Sequence, residues 1–239
     1  MLVNNYKVLA QIYNHLMNDI EYVNWADYIY DIFEQSGNTK GNVLEIAAGN
    51  GNIAGYLSSK VKNLIISDKS VEMLKYPQLS IPKVCFDMIS IPFKCEFSFI
   101  YSTFDSINYI LEFKQLKTFF KRIDTILEKG GCFTFDVALE NNSIVVEKEL
   151  NREGVFNGYF YSQTNKYNKK KRVHENTFYI LDPTGSHYEE IHLQKIYKFE
   201  EYFKAIENTK LYVKSCYNAF TFKDATPEDE RIQFVLKKR

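Results

Sequence analysis

Acidic residues stand at the ends of three successive apolar segments of this 239-residue sequence. Glu45 lies inside the first segment, and Asp68 and Asp87 directly follow the second and the third. If the segments are parallel strands, their carboxyl ends meet at one edge of a sheet, where open α/β sheets bind ligands. Three carboxylates in a row there can hold an amine, the hydroxyls of a ribose and the amino group of an adenine. The acids therefore predict a site for an adenosine cofactor.

A glycine-containing turn follows Glu45 directly, with Gly49 and Gly51 two residues apart. At such a turn the backbone passes close to a ligand and opens a helix. The run Gly49-x-Gly51-x-x-Ala54 also fits the dinucleotide fingerprint G-x-G-x-x-G/A, and Asp68 suits that interpretation equally well. The turn alone therefore leaves two cofactor classes open.

Glu45 and Asp87 favour one of them. A pyrophosphate bound at the turn would be repelled by Glu45, whereas an ammonium group would be attracted. Opposite charges about 4 Å apart gain roughly 4 kcal/mol at an effective dielectric near 20, before desolvation is subtracted. Asp87 can accept from an adenine amino group while the backbone N–H of Met88 donates to the ring. The pattern favours S-adenosylmethionine over NAD(P).

The motifs around these acids resemble those of class I S-adenosylmethionine-dependent methyltransferases. The matching runs are Glu45-x-Ala47-x-Gly49-x-Gly51, Asp68-x-Ser70-x-x-Met73-Leu74 and Asp87-Met88. Further runs are similar to a small-molecule branch that includes amino-sugar N-methyltransferases and glycine/sarcosine-type methyltransferases. These runs are Tyr6…Ile12-Tyr13-x-x-Leu16-Met17…Tyr22-x-x-Trp25, Phe104-Asp105-Ser106-x-Asn108-Tyr109, Phe135-Asp136-Val137 and Glu230-Arg231-Ile232.

The resemblance implies two sets of site residues. The cofactor-binding set is Tyr6, Glu45, Ala47, Gly49, Gly51, Asp68, Lys69, Asp87, Met88 and Thr103. The substrate-facing set is Tyr13, Asp105, Tyr109 and His174. No general base is assigned, because the sequence singles out no residue for that role. A neutral amine attacks without strong help, whereas a hydroxyl needs a positioned base.

The sequence departs from the family pattern at two of these positions. Ala47 stands where glycine is commonest, and Lys69 stands where an apolar residue often packs on the adenine. The methylene stem of Lys69 can still cover the ring. Each acid also has a structural interpretation, as an ion-pair partner or helix-capping residue, and Tyr6 and Tyr13 can simply pack against the first helix.

Strand-like and helix-like segments alternate along most of the chain. Helices are predicted over 19–33, 52–60, 112–128 and 200–208, with Ser70 as the N-cap of a further short one. Strands are predicted over 42–47, 63–67, 83–86, 97–102, 132–137, 211–220 and 232–236. Alternation predicts an α/β fold, a Rossmann-like three-layer sandwich with a mainly parallel seven-stranded sheet. The resemblance implies an antiparallel last strand.

The alternation is interrupted after Val137 by segments that resemble an antiparallel β insertion. Its predicted strands are 155–163, 173–181 and 186–196, and the basic run 166–172 is interpreted as a solvated hairpin turn. With the resemblance, this pattern implies a division into a helical lid (1–36), a cofactor-binding core (37–140 and 198–239) and a substrate cap (141–197). His174 and Tyr179 are expected on the inward face of the cap.

Composition excludes several classes of partner. Thirty Lys and Arg balance thirty Asp and Glu, so no net field attracts nucleic acid or an acidic membrane. No uninterrupted apolar stretch of about 18 residues is present to cross a membrane, and the opening residues do not resemble a secretory signal. The four cysteines form no CxxC motif and no zinc-ligand spacing, so no metal is expected. A cytoplasmic protein, monomeric or homodimeric, is the expectation.

The leading functional hypothesis is an enzyme that transfers a methyl group from S-adenosylmethionine to a small molecule, with nitrogen slightly preferred over oxygen as the acceptor atom. One alternative is an NAD(P)-binding oxidoreductase on a similar sheet. Another is a non-catalytic S-adenosylmethionine-binding module that regulates a partner.

Overall fold

The computed structural model describes residues 1–76 and 79–239. Its strands are β1 (Val43–Glu45), β2 (Leu64–Asp68), β3 (Lys83–Cys85), β4 (Phe97–Ser102), β5 (Leu127–Ala138), β6 (Arg152–Phe156), β7 (Tyr159–Asn168), β8 (Val173–Leu181), β9 (His187–Lys195), β10 (Leu211–Asn218) and β11 (Arg231–Lys238). Its helices are α1 (Tyr13–Leu16), α2 (Tyr22–Gln35), α3 (Asn52–Leu57), α4 (Val71–Leu74), α5 (Phe113–Ile126), α6 (Glu140–Glu149) and α7 (Phe199–Ile206).

Seven strands form one sheet in the order β10-β11-β5-β4-β1-β2-β3. Neighbours among β1 to β5 pair in parallel, as expected where helices such as α3 and α5 supply the crossover connections. The last strand, β11, runs antiparallel to both β5 and β10. The predicted Rossmann-like sheet with an antiparallel last strand is confirmed.

Both faces of this sheet are covered by apolar clusters, because successive side chains of a strand point to opposite faces. Ile100 of β4 belongs to the cluster formed with α5 and α7, which includes Phe119 and Phe120. Its neighbours Phe99 and Tyr101 belong to the cluster formed with α2 and α3. A sheet buried on both faces leaves its strand ends as the accessible region.

The insertion is a separate antiparallel sheet in the order β6-β7-β8-β9. The single strand predicted over 155–163 is wrong, since Asn157 and Gly158 form a tight turn within it at φ angles of 49° and 80°. Phe156 and Tyr159 pair directly on either side of that turn. Asn-Gly is the commonest sequence of a two-residue hairpin turn.

The insertion also begins with a helix, α6, that was not predicted from the sequence. Helix α6 carries few apolar residues and is held by polar contacts to β7 instead. The Glu147 carboxylate accepts from the backbone N–H of Tyr167 at 2.9 Å, and the Tyr167 hydroxyl donates to Glu140 at 3.0 Å. Because these contacts join residues 20 and 27 positions apart, local periodicity could not reveal the helix.

Helix α5 ends at Ile126, two residues earlier than predicted. The strand β5 already begins at Leu127, which pairs with Phe97, and its register shifts before Cys132 pairs with Phe99. Gly130 lies in the irregular stretch with φ 74°.

The N-terminal segment packs on the insertion. Leu2 forms a parallel bridge with Glu189 of β9, and the Val3 N–H donates to the Glu189 carbonyl at 3.0 Å. An apolar cluster joins the two parts; it comprises Leu9, Ile12, Leu16, Tyr161, Phe178 and Ile180. Within the described residues, no helix has the length and hydropathy needed to cross a membrane.

Candidate functional site

A cleft of about 1880 Å³ lies between the carboxyl ends of β1, β2 and β4, the N-terminal segment and the insertion sheet. Sites for drug-sized ligands measure roughly 300–1,000 Å³, so this cleft has room for two molecules. It is lined by all the predicted site residues except Gly51: Tyr6, Tyr13, Glu45, Ala47, Gly49, Asp68, Lys69, Asp87, Met88, Thr103, Asp105, Tyr109 and His174. Gly51 instead caps α3 with φ 71°.

Glu45 is a buried acid without a basic partner in the described part of the chain. Its side chain is 1% exposed, and the Tyr101 hydroxyl donates to it at 3.0 Å. Burial raises the pKa of the Glu45 carboxyl to about 8, with a smaller contribution from the negative charge of Asp68. A buried carboxylate that lacks a cation and lines a cleft fits a ligand that brings an ammonium group.

The turn after β1 contains three residues in the left-handed region. Ala47, Gly49 and Gly51 have φ angles of 56°, 57° and 71°. A side chain at Gly49 would lie 3.1 Å from the Met73 methyl group, in a strained backbone conformation. Ala47 occupies the same region at a cost of roughly 1–2 kcal/mol. The turn brings backbone, with little side chain, to the floor of the cleft.

Asp68 is fixed by the turns on either side of it. Its two carboxylate oxygens accept from the backbone N–H of Gly49 and of Ser70, each at 2.8 Å. Burial raises the pKa of Asp68, and these backbone donors partly offset that effect. Ser70 is the predicted N-cap, since its hydroxyl accepts from the Met73 N–H at 3.2 Å.

Asp87 and Lys69 form an ion pair at the rim of the cleft. Their closest atoms, Asp87 Oδ2 and Lys69 Nζ, are 2.7 Å apart. The other oxygen of Asp87 accepts from the Ile89 N–H at 3.1 Å. Both residues thus line the region where an adenine is predicted, and the carboxylate is already oriented by two donors.

Asp105 is held by neighbouring side chains. Arg231 Nη2 lies 2.6 Å from one Asp105 oxygen, and Gln194 Nε2 donates to the other. Arg231 also pairs with the buried Asp136, whose pKa burial raises to about 6. Phe104 and Asp105 both have positive φ, 57° and 47°. This ion cluster stabilises a strained loop, and neither Arg231 nor Gln194 was among the site residues predicted from the sequence.

Three tyrosine side chains line the region above these acids. The hydroxyls of Tyr6 and Tyr109 are 2.9 Å apart, and the Tyr109 hydroxyl lies 3.1 Å from His192 Nδ1. The ring of Tyr13 stands edge-on to that of Tyr6, with centroids 5.8 Å apart. Burial raises the pKa of all three hydroxyls, so they are neutral at pH 7. His192 is not among the site residues predicted from the sequence, because no local signal marks it.

His174 lies on the inward face of β8, where it was predicted. It is 4% exposed, and its Nε2 lies 3.1 Å from Asn165 Oδ1. Because Asn165 donates its amide N–H to the Leu150 carbonyl at 2.7 Å, its oxygen faces the imidazole, and His174 Nε2 must carry the proton. His174 Nδ1 has no hydrogen-bond partner in the part of the chain that the structure describes, and burial lowers the pKa of the ring.

The prediction that Tyr179 also faces inward is wrong. Its side chain is 50% exposed on the opposite face of β8. His174 and Tyr179 are five residues apart, and an odd separation along a strand places side chains on opposite faces.

Among the described residues, no cluster of three or more His, Cys, Asp or Glu side chains is arranged to hold a metal ion.

Comparisons with known proteins agree with this geometry. A family model described as a methyltransferase domain matches residues 44–135. The YqeM protein of Bacillus subtilis (strain 168), a candidate methyltransferase, is 24% identical over 243 residues, covering 98% of this chain and 97% of that protein.

Solved structures match the whole chain as well. An S-adenosylmethionine-dependent methyltransferase from Clostridium acetobutylicum ATCC 824 has a TM-score of 0.78 at 25% identity, covering 98% of each chain. The sugar N-methyltransferase KedS8 from Streptoalloteichus sp ATCC 53650 has a TM-score of 0.75 at 15% identity, covering 98% of this chain and 93% of that one. The predicted resemblance and the predicted cofactor, S-adenosylmethionine, are confirmed.

Proposed function

We propose that this class I S-adenosylmethionine-dependent methyltransferase transfers a methyl group to a nitrogen atom of a small molecule. The observation that carries the proposal is the cleft of about 1880 Å³, with the strand-end acids on one side and the polar inward face of the insertion on the other. Its volume suits a cofactor and a small acceptor together.

The cofactor-binding residues act by position and charge. We assign Glu45 to the methionine ammonium group, Asp68 to the ribose hydroxyls, and Asp87 with the Met88 N–H to the adenine. When bound, S-adenosylmethionine supplies a methyl group on a sulfonium, which is an excellent leaving group. The chain therefore has to align the acceptor and exclude water, and alignment alone can contribute several kcal/mol.

Nitrogen is favoured because the carboxylate of the predicted substrate-facing set is not free to take the proton of a hydroxyl. A hydroxyl acceptor needs a base in direct contact. Asp105, the carboxylate of the predicted substrate-facing set, already has one oxygen bound to Arg231 and the other to Gln194. The similarity to a sugar N-methyltransferase supports the same acceptor atom.

We assign residues 1–36 as a lid, 37–140 and 198–239 as the cofactor-binding core and 141–197 as a substrate cap. The contacts of the N-terminal segment support this division. Lys7 pairs with Glu72 at 3.1 Å, and the Ser70 hydroxyl donates to the Tyr6 carbonyl at 3.4 Å. The segment thus joins the cofactor side of the cleft to the insertion.

Calorimetry followed by mass spectrometry tests the proposal. S-adenosylmethionine and its demethylated product should bind with micromolar affinity, and NAD and NADP should give no heat. A panel of small amines, alcohols and thiols incubated with enzyme and cofactor should then yield methylated amines. Methylation of alcohols or thiols alone contradicts the choice of nitrogen, and binding without any methylation favours a regulatory module.

A further inference from the structure

A chain of buried hydrogen bonds leads from the cleft into the insertion sheet. Tyr109, at the cleft, is followed by His192 and then by Glu190, both on β9. Tyr109 Oη lies 3.1 Å from His192 Nδ1, and His192 Nε2 lies 3.3 Å from Glu190 Oε2. His192 is 2% exposed and lines the cleft, and Glu190 behind it is fully buried.

Glu190 accepts hydrogen bonds on both of its oxygens. Its carboxylate accepts from the backbone N–H of Tyr6 at 2.6 Å, of Val8 at 2.7 Å and of Leu9 at 2.9 Å. Hydrogen bonds from backbone N–H groups favour the ionised form of a carboxylate. An ionised carboxylate only accepts, so His192 must donate its Nε2 proton to Glu190.

For a neutral His192 ring, this arrangement gives every hydrogen bond in the series a single direction. With the proton on Nε2, the neutral His192 ring presents a lone pair at Nδ1 and can only accept from Tyr109 there. Tyr109 has one hydroxyl proton, so the Tyr6 hydroxyl, 2.9 Å away, donates to Tyr109. The Tyr109 oxygen keeps a lone pair for a ligand in the cleft.

The other contacts of His192 do not compete for Nδ1. The titratable groups in contact with the ring are Tyr6, Tyr109 and Glu190, and Tyr6 meets it edge-on with centroids 4.7 Å apart. From β8, the uncharged Phe178 packs on the ring with centroids 5.4 Å apart, and Asn176 is its partner in strand register.

We propose that Tyr109, backed by His192 and Glu190, is the proton acceptor that converts a cationic amine in the cleft to its neutral, nucleophilic form. The proposal rests on the proposed function, since an alkylamine at pH 7 is protonated and has no lone pair to attack a methyl group. Tyr109 is then the catalytic residue, and His192 and Glu190 act through it.

The proton that leaves the ammonium group is taken up by Tyr109 and His192. The N–H bond of the ammonium breaks and its proton bonds to the Tyr109 oxygen, while the original hydroxyl proton of Tyr109 moves to His192 Nδ1. The amine keeps the electron pair, and His192 becomes an imidazolium that stays paired with the Glu190 carboxylate. When product leaves, the imidazolium returns its proton through Tyr109 to water.

Nitrogen-15 NMR tests the direction of these hydrogen bonds without an acceptor. The sample is the full-length protein, labelled at histidine and bound to S-adenosylhomocysteine. The sequence has four histidines, and His192→Asn identifies the resonances of His192. We expect the neutral form with the proton on Nε2 at pH 7–8. A proton on Nδ1, or an imidazolium throughout this range, overturns the proposal because His192 then cannot accept from Tyr109.

The pH profile of methyl transfer to cyclohexylamine tests the chemistry. His192→Asn removes the basic group, so turnover at pH 7 should fall about 100-fold, the lower end of general-base effects. At pH 10 a substantial fraction of the amine is already neutral and no longer needs a proton acceptor. The turnover of the variant should then lie within about threefold of the wild-type value. His187→Asn, an exposed position on the same strand, is the control and should keep the wild-type profile.

Equal loss for His192→Asn at both pH values would show a structural role and overturn the proposal. Rescue at high pH by Glu190→Gln, in which the amide keeps the shape of the side chain, would support it. Failure of the proposed function gives a different result. In that case the wild type methylates none of cyclohexylamine, 2-aminoethanol and glucosamine while methylating an alcohol or a thiol.

Discussion

In this cleft, some residues that suit ligand binding destabilise the free protein. Within the described residues Glu45 is buried without a cation, and Ala47 takes up a left-handed backbone that favours glycine. Both features cost stability in the free protein. They persist at strand ends that line the cleft, as expected where local strain serves a binding site.

Ala47→Gly should stabilise the protein. Glycine adopts φ 56° without the steric cost of a Cβ atom, so the free energy of unfolding should rise by up to about 1 kcal/mol, net of glycine's larger entropy loss. Urea denaturation measures the change. The neighbouring Ala48→Gly is the control and should destabilise, since Ala48 is not among the residues with positive φ. A loss of stability at both positions would contradict this account.

Cofactor binding should release a proton near Glu45. Its pKa is about 8 in the free protein, and an ammonium group bound beside it should lower that value. The bound form then holds fewer protons, so affinity should rise with pH between about 6.5 and 8 and level off above. Calorimetry in buffers of different ionisation enthalpy measures the released protons.

Glu45→Gln provides the control for this experiment. The amide cannot titrate, so its proton release should vanish and its affinity should no longer rise with pH in this range. A wild type that binds S-adenosylmethionine without releasing protons at pH 7 would show that Glu45 does not face the ammonium group.

At the scale of elements, strand parity decides which residues of the insertion can reach a substrate. The cleft-facing residues of strand β8 are His174, Asn176 and Phe178, and Tyr179 lies on the outer face. The register with β7 and β9 fixes this alternation over the full length of β8. A shift of one residue would exchange the two faces.

His174→Ala should impair methyl transfer without affecting the cofactor. Loss of one hydrogen-bonding group in the cleft should lower kcat/KM about two- to tenfold, corresponding to about 0.5–1.5 kcal/mol. Affinity for S-adenosylmethionine should stay within about threefold, under 1 kcal/mol. Steady-state kinetics with an amine acceptor and calorimetry on the same protein measure both.

Tyr179→Ala is the matched control on the same strand, and both parameters should remain at wild-type values because its side chain is half exposed on the outer face. If His174→Ala instead loses the cofactor and keeps acceptor binding, the insertion belongs to the cofactor site.

At the scale of the whole molecule, three parts of the chain must assemble before the cleft exists. The larger sheet supplies its floor, the N-terminal segment one wall and the insertion sheet the other. The Glu190 carboxylate binds three backbone N–H groups of the N-terminal segment and so joins two of these parts. A ligand in the cleft therefore binds the assembled fold and not the unfolded chain.

S-adenosylhomocysteine should accordingly raise the thermal stability. At 100 times its Kd the gain is about 2.7 kcal/mol, which corresponds to roughly 5–11 °C in Tm for a chain of this size. Asp68→Ala should lose at least tenfold in affinity, since charge-assisted bonds contribute about 1.5–3 kcal/mol each. At the same ligand concentration its shift should be about half as large. The exposed Asp27→Ala should keep the full shift, and equal shifts for all three proteins would remove Asp68 from the cofactor site.

Local sequence patterns were enough to predict the larger sheet and the cofactor. Glu45, Asp68 and Asp87 stand at strand ends in local segments whose type is set by short-range apolar pattern and turn residues, so spacing alone placed them together. Ser70 as an N-cap is a contact over three residues and was predicted for the same reason.

The substrate side of the cleft, in contrast, depends on contacts between distant parts of the chain. Helix α6 depends on Glu140 and Glu147 meeting β7, and the ties of Arg231 to Asp105 and of Glu190 to the N-terminal segment join residues more than 100 positions apart. Such contacts form when separate elements pack, and no local pattern encodes them. For the same reason His192 had no signal in the sequence until β9 brought it beside Tyr109.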